Sequence, residues 1–199
     1  MAEKMIADLA RILSLHAQEN PQGMPPVHLW EPPLCGEIDL CIHRDGVWSY
    51  MGSPIQRRPL VRLFSRVLRR DDDDHYYLVT PVEKMRIRVE DAPLHVVRAE
   101  RCLTADEQSW IELHTATEDV IRLGPEHGLW VGEEGERGEP APYVHARARL
   151  HARIQRNAFY QLVDWAVPGA AQGRSCSYGV WSGGQFFSLG EVDRELLNA

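Results

Sequence analysis

Residues 37–52, EIDLCIHRDGVWSYMG, decide the fold class. Ile38, Leu40 and Ile42 are apolar at period two, Asp45-Gly46 supplies a turn that tolerates positive φ, and Val47, Trp48 and Tyr50 begin a return strand. That pattern predicts an antiparallel hairpin and so a protein built on sheet. Near the other end SYGVWSGGQFFSLGE, residues 177–191, predicts a second hairpin turning at Gly183-Gly184.

Between the hairpins the periodicity changes. From Arg58 to Arg70 the apolar residues Leu60, Val61, Leu63, Phe64, Val67 and Leu68 recur at helical spacing, with Pro59 suited to a first turn. Asp71 to Asp74 would sit badly at the negative end of that helix, so a loop is expected there. HYYLVTP and EKMRIRV then predict two strands, with Pro81 interrupting them. Ahead of the first hairpin, Ile6 to Leu15 predicts a short helix ended by QENPQGMPP. Asp91 to Pro93 marks a boundary.

Beyond it LHVVRAERCL, SWIELHTA, DVIRLG and GLWVGE predict short strands. Tyr143 to Ile154 alternates strictly and is expected to form one long half-buried strand. Asn157 to Val167 predicts a helix with a sharp stop at Pro168-Gly169. The expected architecture is α+β in two tandem halves with mainly antiparallel sheets. Residues 1–92 form the N-terminal α+β domain and 93–199 a C-terminal β-rich domain with a capping helix. Two related halves, that is a duplication, fit this layout.

Composition narrows the function. A chain of 199 residues buries a core without disulfide staples. A net charge of −7 speaks against a nucleic-acid polymer or an anionic membrane as partner. No apolar run reaches the length of a membrane span and the amphipathic N-terminus is no signal peptide, so a cytoplasmic location is expected. Cys35, Cys41, Cys102 and Cys176 have no CxxC spacing and are expected to be buried free thiols.

The sequence holds no GxSxG elbow, HExxH, Walker loop or GxGxxG, and Asp71 to Asp74 lacks the spacing and glycine of a calcium loop. No metal and no cofactor are expected, and a binding role is favoured over an enzyme. Basic faces remain. Lys4 and Lys84 are the only lysines among 22 basic residues, all the rest being arginine. Arg58, Arg62, Arg66, Arg69 and Arg70 line one side of the predicted helix, Lys84, Arg86 and Arg88 share a strand face, and Arg147, Arg149 and Arg153 share another with His145 and His151. Each could be a solvated face, or an anion site using the planar arginine fork.

The block GEIDLCIHRDGVWSYMGSPIQRRPLVRLFSRVL, followed by YYLVTPVEKMRIRVEDAP, resembles the first half of the domain-of-unknown-function family 1285, and PAPYVHARARLHARIQRNAFYQLV is similar to its second half. The resemblance covers about Gly36 to Gly190. It implies a bacterial cytosolic protein with a duplicated α+β core, a second domain superficially like a pleckstrin-homology fold, and a cleft between domains holding a nucleotide-like ligand.

The leading expectation is therefore a regulatory or signalling module that binds an anionic, nucleotide-like small molecule. Its candidate ligand-binding residues are Trp48, Thr80, Glu83, Lys84, Arg86, Arg153 and Tyr160, with the aromatics as stacking surfaces and Arg153 beside a helix N-terminus. One alternative is a hydrolase or transferase acting on a phosphorylated metabolite, with Glu83 or Asp91 as base. Another is an interaction adaptor in which Arg62, Arg66 and Arg69 dock an acidic partner or a second copy, giving a homodimer.

Overall fold

A computed structural model of the chain describes residues 24–103, 108–134, 139–172 and 175–193. The helix expected at Ile6 to Leu15 lies outside the described residues. The chain divides into two compact units, Met1–Pro93 and Leu94–Ala199, each taken by itself below.

In the first unit β1 (Leu34–Ile42) turns at Asp45-Gly46 into β2 (Trp48–Tyr50) and β3 (Ser53–Pro54). The helix α1 (Arg58–Arg66) follows, then β4 (Leu68–Arg70), β5 (Tyr76–Val79) and β6 (Lys84–Val89). The sheet order is β3-β2-β1-β6-β5-β4, so α1 connects opposite edges of the sheet. Ile38, Leu40 and Ile42 point to one face of β1 and are buried, along with Trp48, Leu68, Leu78 and Ile87. Phe64 of α1 is fully buried and stacks on Trp48 with ring centroids 6.3 Å apart.

The helix is shorter than its periodicity predicts. Val67 closes it and accepts a hydrogen bond from the Val79 amide, and Leu68 pairs with Leu78, so the sheet takes over the last two apolar positions of the helical stripe. Arg69 and Arg70 therefore leave the helix. Asp71 to Asp74 form the turn between β4 and β5, as the charge run implied.

The second unit contains β7 (Leu94–Leu103), β8 (Ser109–Thr115), β9 (Val120–Arg122), β10 (Leu129–Glu134), β11 (Glu139–Arg147) and β12 (Leu150–Ile154) in one sheet of order β10-β11-β12-β7-β8-β9. Counted from each unit's first strand, both six-stranded sheets run third, second, first, sixth, fifth, fourth. In both, the first and sixth strands pair in parallel at the centre and the other pairings are antiparallel. After β12 come α2 (Arg156–Asp164) and a three-stranded sheet of β13 (Val167–Gln172), β14 (Ser175–Ser182) and β15 (Gln185–Asp193).

Two expectations are corrected in this unit. Tyr143 to Ile154 is a hairpin, with Ala148 at its turn in left-handed backbone at φ 46° and His145 opposite His151. The short turn keeps Val144 and Ala146 in step with Leu150, Ala152 and Ile154, all buried, so strict alternation runs through the reversal unbroken. The helix, for its part, ends at Asp164, and Pro168-Gly169 belongs to β13. Pro168 begins no loop because β13 is an edge strand, where a missing N–H is tolerated.

All four cysteines are free thiols. Cys41 and Cys176 are buried, but Cys35 is exposed and Cys102 half-buried, which departs from the expectation of core positions. Among the described residues no helix is long and apolar enough to cross a membrane.

Candidate functional site

Alternation along β1 and β6 sets the second face of the first sheet. Glu37, Asp39 and Cys41 alternate with the buried apolar residues of β1, and Lys84, Arg86 and Arg88 alternate with Ile87 and its neighbours on β6. Glu37 pairs with Arg86 and Cys41 with Arg88, so four residues of advance on β1 answer two on β6. The parallel ladder is interrupted between those pairs. A polar groove of about 700 Å³ lies there, lined by Glu37, Asp39, Arg86 and Arg88, with Asp74 and His75 from the β4–β5 turn.

At one end of this face Asp71 organises the cations. Arg69 grips it through Nε and Nη2 at 2.5 and 3.1 Å, and Lys84 Nζ donates to Oδ2 at 2.6 Å while lying 4.5 Å from the centre of the Tyr77 ring. Nη1 of Arg69 also donates to the carbonyls of Val27 and Trp30, tying residues 27–30 to β4. Burial acts to raise the Asp71 pKa, but the hydrogen bonds from Arg69 and Lys84 overcome it and hold the carboxyl below its ordinary value. The Tyr77 hydroxyl donates to Asp73 at 2.6 Å, and that bond pushes the phenol up to about 12.

A pH prediction follows from Asp71. A depressed folded pKa gives a contribution that is complete above the unfolded value, about 4, and is lost as pH falls through the folded one. Asp71→Asn is expected to cost about 1–3 kcal/mol at neutral pH, and the gap from wild type should close in acid. Urea midpoints from pH 7 to pH 3 measure it. A gap that stays constant to the lowest pH would show that the ionised carboxylate contributes nothing.

At the other end of the face are Cys41, His43 and Glu90. His43 Nδ1 is 3.9 Å from Cys41 Sγ and 3.2 Å from Glu90 Oε1, and Glu90 Oε1 is 3.8 Å from Cys41 Sγ. Ser49 Oγ lies 2.7 Å from His43 Nε2, the Arg44 amide donates to Glu90 Oε2, and Arg88 Nε donates to Cys41 Sγ at 3.3 Å. Among the described residues these three bring their ligand atoms within 4.8 Å of one another, close enough to share a metal ion. Burial raises the Cys41 thiol pKa, with Arg88 pulling the other way. Ser49 forms a Ser–His–Glu chain with its neighbours, yet it is buried within a strand and serves to orient the imidazole.

The sequence candidates are divided between the two units, and within the first between the two faces of its sheet. Lys84 and Arg86 stand on the polar face, Arg86 paired with Glu37 at 3.0 Å and Lys84 committed to Asp71. Trp48 is on the opposite, core face. Thr80 is buried and its Oγ1 accepts the amides of Val82 and Glu83 while donating to the Glu83 carbonyl, which makes TPVE a locked turn. Arg153 and Tyr160 belong to the second unit: Arg153 is half-buried on β12 opposite Tyr143 and His95, and Tyr160 is exposed on α2.

The sequence patterns do not single out His43 or Glu90, and they place Cys41 among the buried free thiols. One signal was present: Cys41-x-His43 on a predicted strand places both side chains on one face. Glu90 directly follows β6, far along the chain, and only the parallel pairing of β6 with β1 brings it near.

The two units coincide with the two domains of one sequence family. Residues 25–92 match the N-terminal domain of the domain of unknown function DUF1285, and residues 93–189 match the C-terminal domain of that family. No curated protein matches the chain. A DUF1285 family protein from Silicibacter pomeroyi DSS-3 is similar in structure, at 43% identity and a TM-score of 0.76, over 89% of this chain and 92% of that one. Another, from Shewanella baltica OS155, has 24% identity and a TM-score of 0.49, over 64% of this chain and 91% of that one. With family matches spanning both units, the chain belongs to the DUF1285 family.

Proposed function

We propose that the protein is a non-catalytic cytoplasmic binding module whose ligand is a small molecule carrying an anionic group, nucleotide-like in its mixture of charge and hydroxyl donors. The observation that carries this reading is the interrupted ladder between β1 and β6, which leaves Arg86 and Arg88 on one wall of a polar groove and Glu37 and Asp39 on the other. Two guanidinium groups at alternate positions of one strand suit a phosphate or carboxylate. Facing carboxylates would repel a bare anion, so the fitting ligand also carries donors, such as a sugar diol or an amine, for Glu37 and Asp39. This is why the groove favours a nucleotide-like molecule over inorganic phosphate.

We also propose a duplicated origin for the fold. A duplicated core is supported by the strand order that the two six-stranded sheets share. A pleckstrin-like outline for the second half is supported by α2 packing against β7 after the sixth strand.

Calorimetry and melting curves with nucleoside monophosphates and sugar phosphates test the binding role, with inorganic phosphate and uncharged nucleosides as controls. A ligand at a hundred times its Kd is expected to stabilise the wild type by about 2.7 kcal/mol. Arg86→Ala and Arg88→Ala are each expected to weaken binding at least tenfold, about 1.4 kcal/mol. The reading fails if no compound stabilises the wild type at millimolar concentration, or if both variants bind as tightly as the wild type.

A further inference from the structure

We propose that Cys41, His43 and Glu90 bind a divalent transition-metal ion of the zinc class, through Sγ, Nδ1 and Oε1, with a fourth position open. The three atoms lie 3.9, 3.8 and 3.2 Å apart. A tetrahedral zinc with one sulfur, one nitrogen and one oxygen ligand needs sulfur-to-light-atom separations of about 3.6 Å and a nitrogen-to-oxygen separation of about 3.3 Å. Shifts of a few tenths of an ångström bring the observed triangle to that shape.

The surroundings fix each ligand in the required sense. Ser49 Oγ engages His43 Nε2, and its hydroxyl is able to accept an Nε2–H, which leaves the Nδ1 lone pair facing Cys41 and Glu90. The Arg44 amide occupies Glu90 Oε2 and so turns Oε1 inward. Arg88 Nε donates to the Cys41 sulfur, a contact that suits a thiolate ligand. Such second contacts distinguish a positioned set of ligands from a chance meeting of polar side chains.

The strands supply the framework. Cys41 and His43 are two residues apart on one face, and the Glu90 amide donates to the Ile42 carbonyl, which locks the end of β6 beside them. Cys41 is buried while the His43 and Glu90 side chains are 33% and 34% exposed, so an ion enters from the solvent side and a small ligand reaches the open position. Imidazole, thiolate and carboxylate together suit zinc or cobalt, whereas magnesium and calcium prefer oxygen alone.

The test uses the full chain, freed of metal by a chelator and titrated with cobalt(II). One equivalent should bind, with a sulfur-to-cobalt charge-transfer band in the near ultraviolet and the visible bands of a tetrahedral ion, and zinc should bleach both. Cys41→Ser should abolish the charge-transfer band, and His43→Gln and Glu90→Gln should each weaken binding at least tenfold. Cys102→Ser should change nothing. A wild type without these bands, or bands that survive Cys41→Ser, overturns the proposal. Should Cys41→Ser lose its fold by circular dichroism, wild-type affinity in His43→Gln and Glu90→Gln overturns it equally. Because the titration contains no anionic ligand, it succeeds or fails independently of the groove's proposed occupant.

Discussion

Gly179→Ala is expected to cost the second unit about 3 kcal/mol, the loss being set by backbone that has nowhere to go. Gly179 lies in β14 at the shift in register where Tyr178 pairs with Gly190 but Gly179 pairs with Ser188. A Cβ there would stand 2.1 Å from the Phe187 carbonyl oxygen and 2.8 Å from the Phe186 ring. Phe187 is itself buried and paired with Val180, so retreat of its carbonyl would break the β14–β15 ladder. The Phe186 ring has no more freedom, because a Cβ on Gly169 of β13 would come within 2.5 Å of it from another strand. Gly190→Ala is the control. Its Cβ meets nothing within 4 Å, and a change within about 0.5 kcal/mol is expected. Denaturant melts of the two variants decide the matter, and a Gly179→Ala protein within 0.5 kcal/mol or so of wild type would mean that the bulge opens at little cost.

The contrast between these glycines shows which parts of the fold are legible in sequence. Gly183-Gly184 announces its turn because both residues need positive φ, and both have it, at 56° and 77°. Asp45-Gly46 does the same for β1 and β2, with Asp45 Oδ1 accepting the Val47 amide to close the turn. Local chemistry is enough there. Gly179 announces nothing, since its need arises from Phe186 and Phe187 after the chain has turned back.

Alternation has a similar blind spot. It marks Val144, Ala152 and Ile154 as inward-facing but passes through the turn at Ala148, since reversal preserves the parity that alternation reads. Helical periodicity predicts α1 and overruns it, because Val67 and Leu68 satisfy a helix stripe and a sheet core equally well. The central parallel pairs are the largest omission. β1 meets β6 and β7 meets β12 across whole meanders, and no short pattern in the sequence encodes such a meeting.

The candidate site inherits that omission. The basic stripe of Lys84, Arg86 and Arg88 is readable on one strand, but the carboxylates that answer it come from elsewhere: Asp71 for Lys84 and Glu37 for Arg86. A basic face in the sequence is thus a mixed-charge face in the fold. For the ligand proposed above, that asks for hydrogen-bond donors beside the anionic group.

The second large effect is expected from a single hydroxyl. Ser182 has no exposed surface, and its Oγ donates to the Leu123 carbonyl at 2.6 Å while accepting the Ile111 amide at 2.9 Å. Ile111 belongs to β8 and Leu123 follows β9, so this hydroxyl joins the end of β14 to the six-stranded sheet of the second unit, beside a further bond from the Gly183 amide to the Ser109 carbonyl. Ser182→Ala removes one oxygen and strands two backbone groups in a place closed to solvent. Each unsatisfied group costs about 1–3 kcal/mol, so a loss of about 2–5 kcal/mol is expected. Water does not offer rescue, because the space left by one oxygen is smaller than the volume a water needs. Ser177→Ala provides the comparison: its Oγ meets Ser188 Oγ at 2.8 Å on the surface, where solvent replaces the lost partner, and a change below about 0.5 kcal/mol is expected. Hydrogen exchange adds a local reading, since the Ile111 amide should lose protection in Ser182→Ala beyond what the global loss of stability explains. Equal stabilities for the two serine variants, with the Ile111 amide still protected, would mean that the Ser182 hydroxyl contributes nothing to holding the two sheets together.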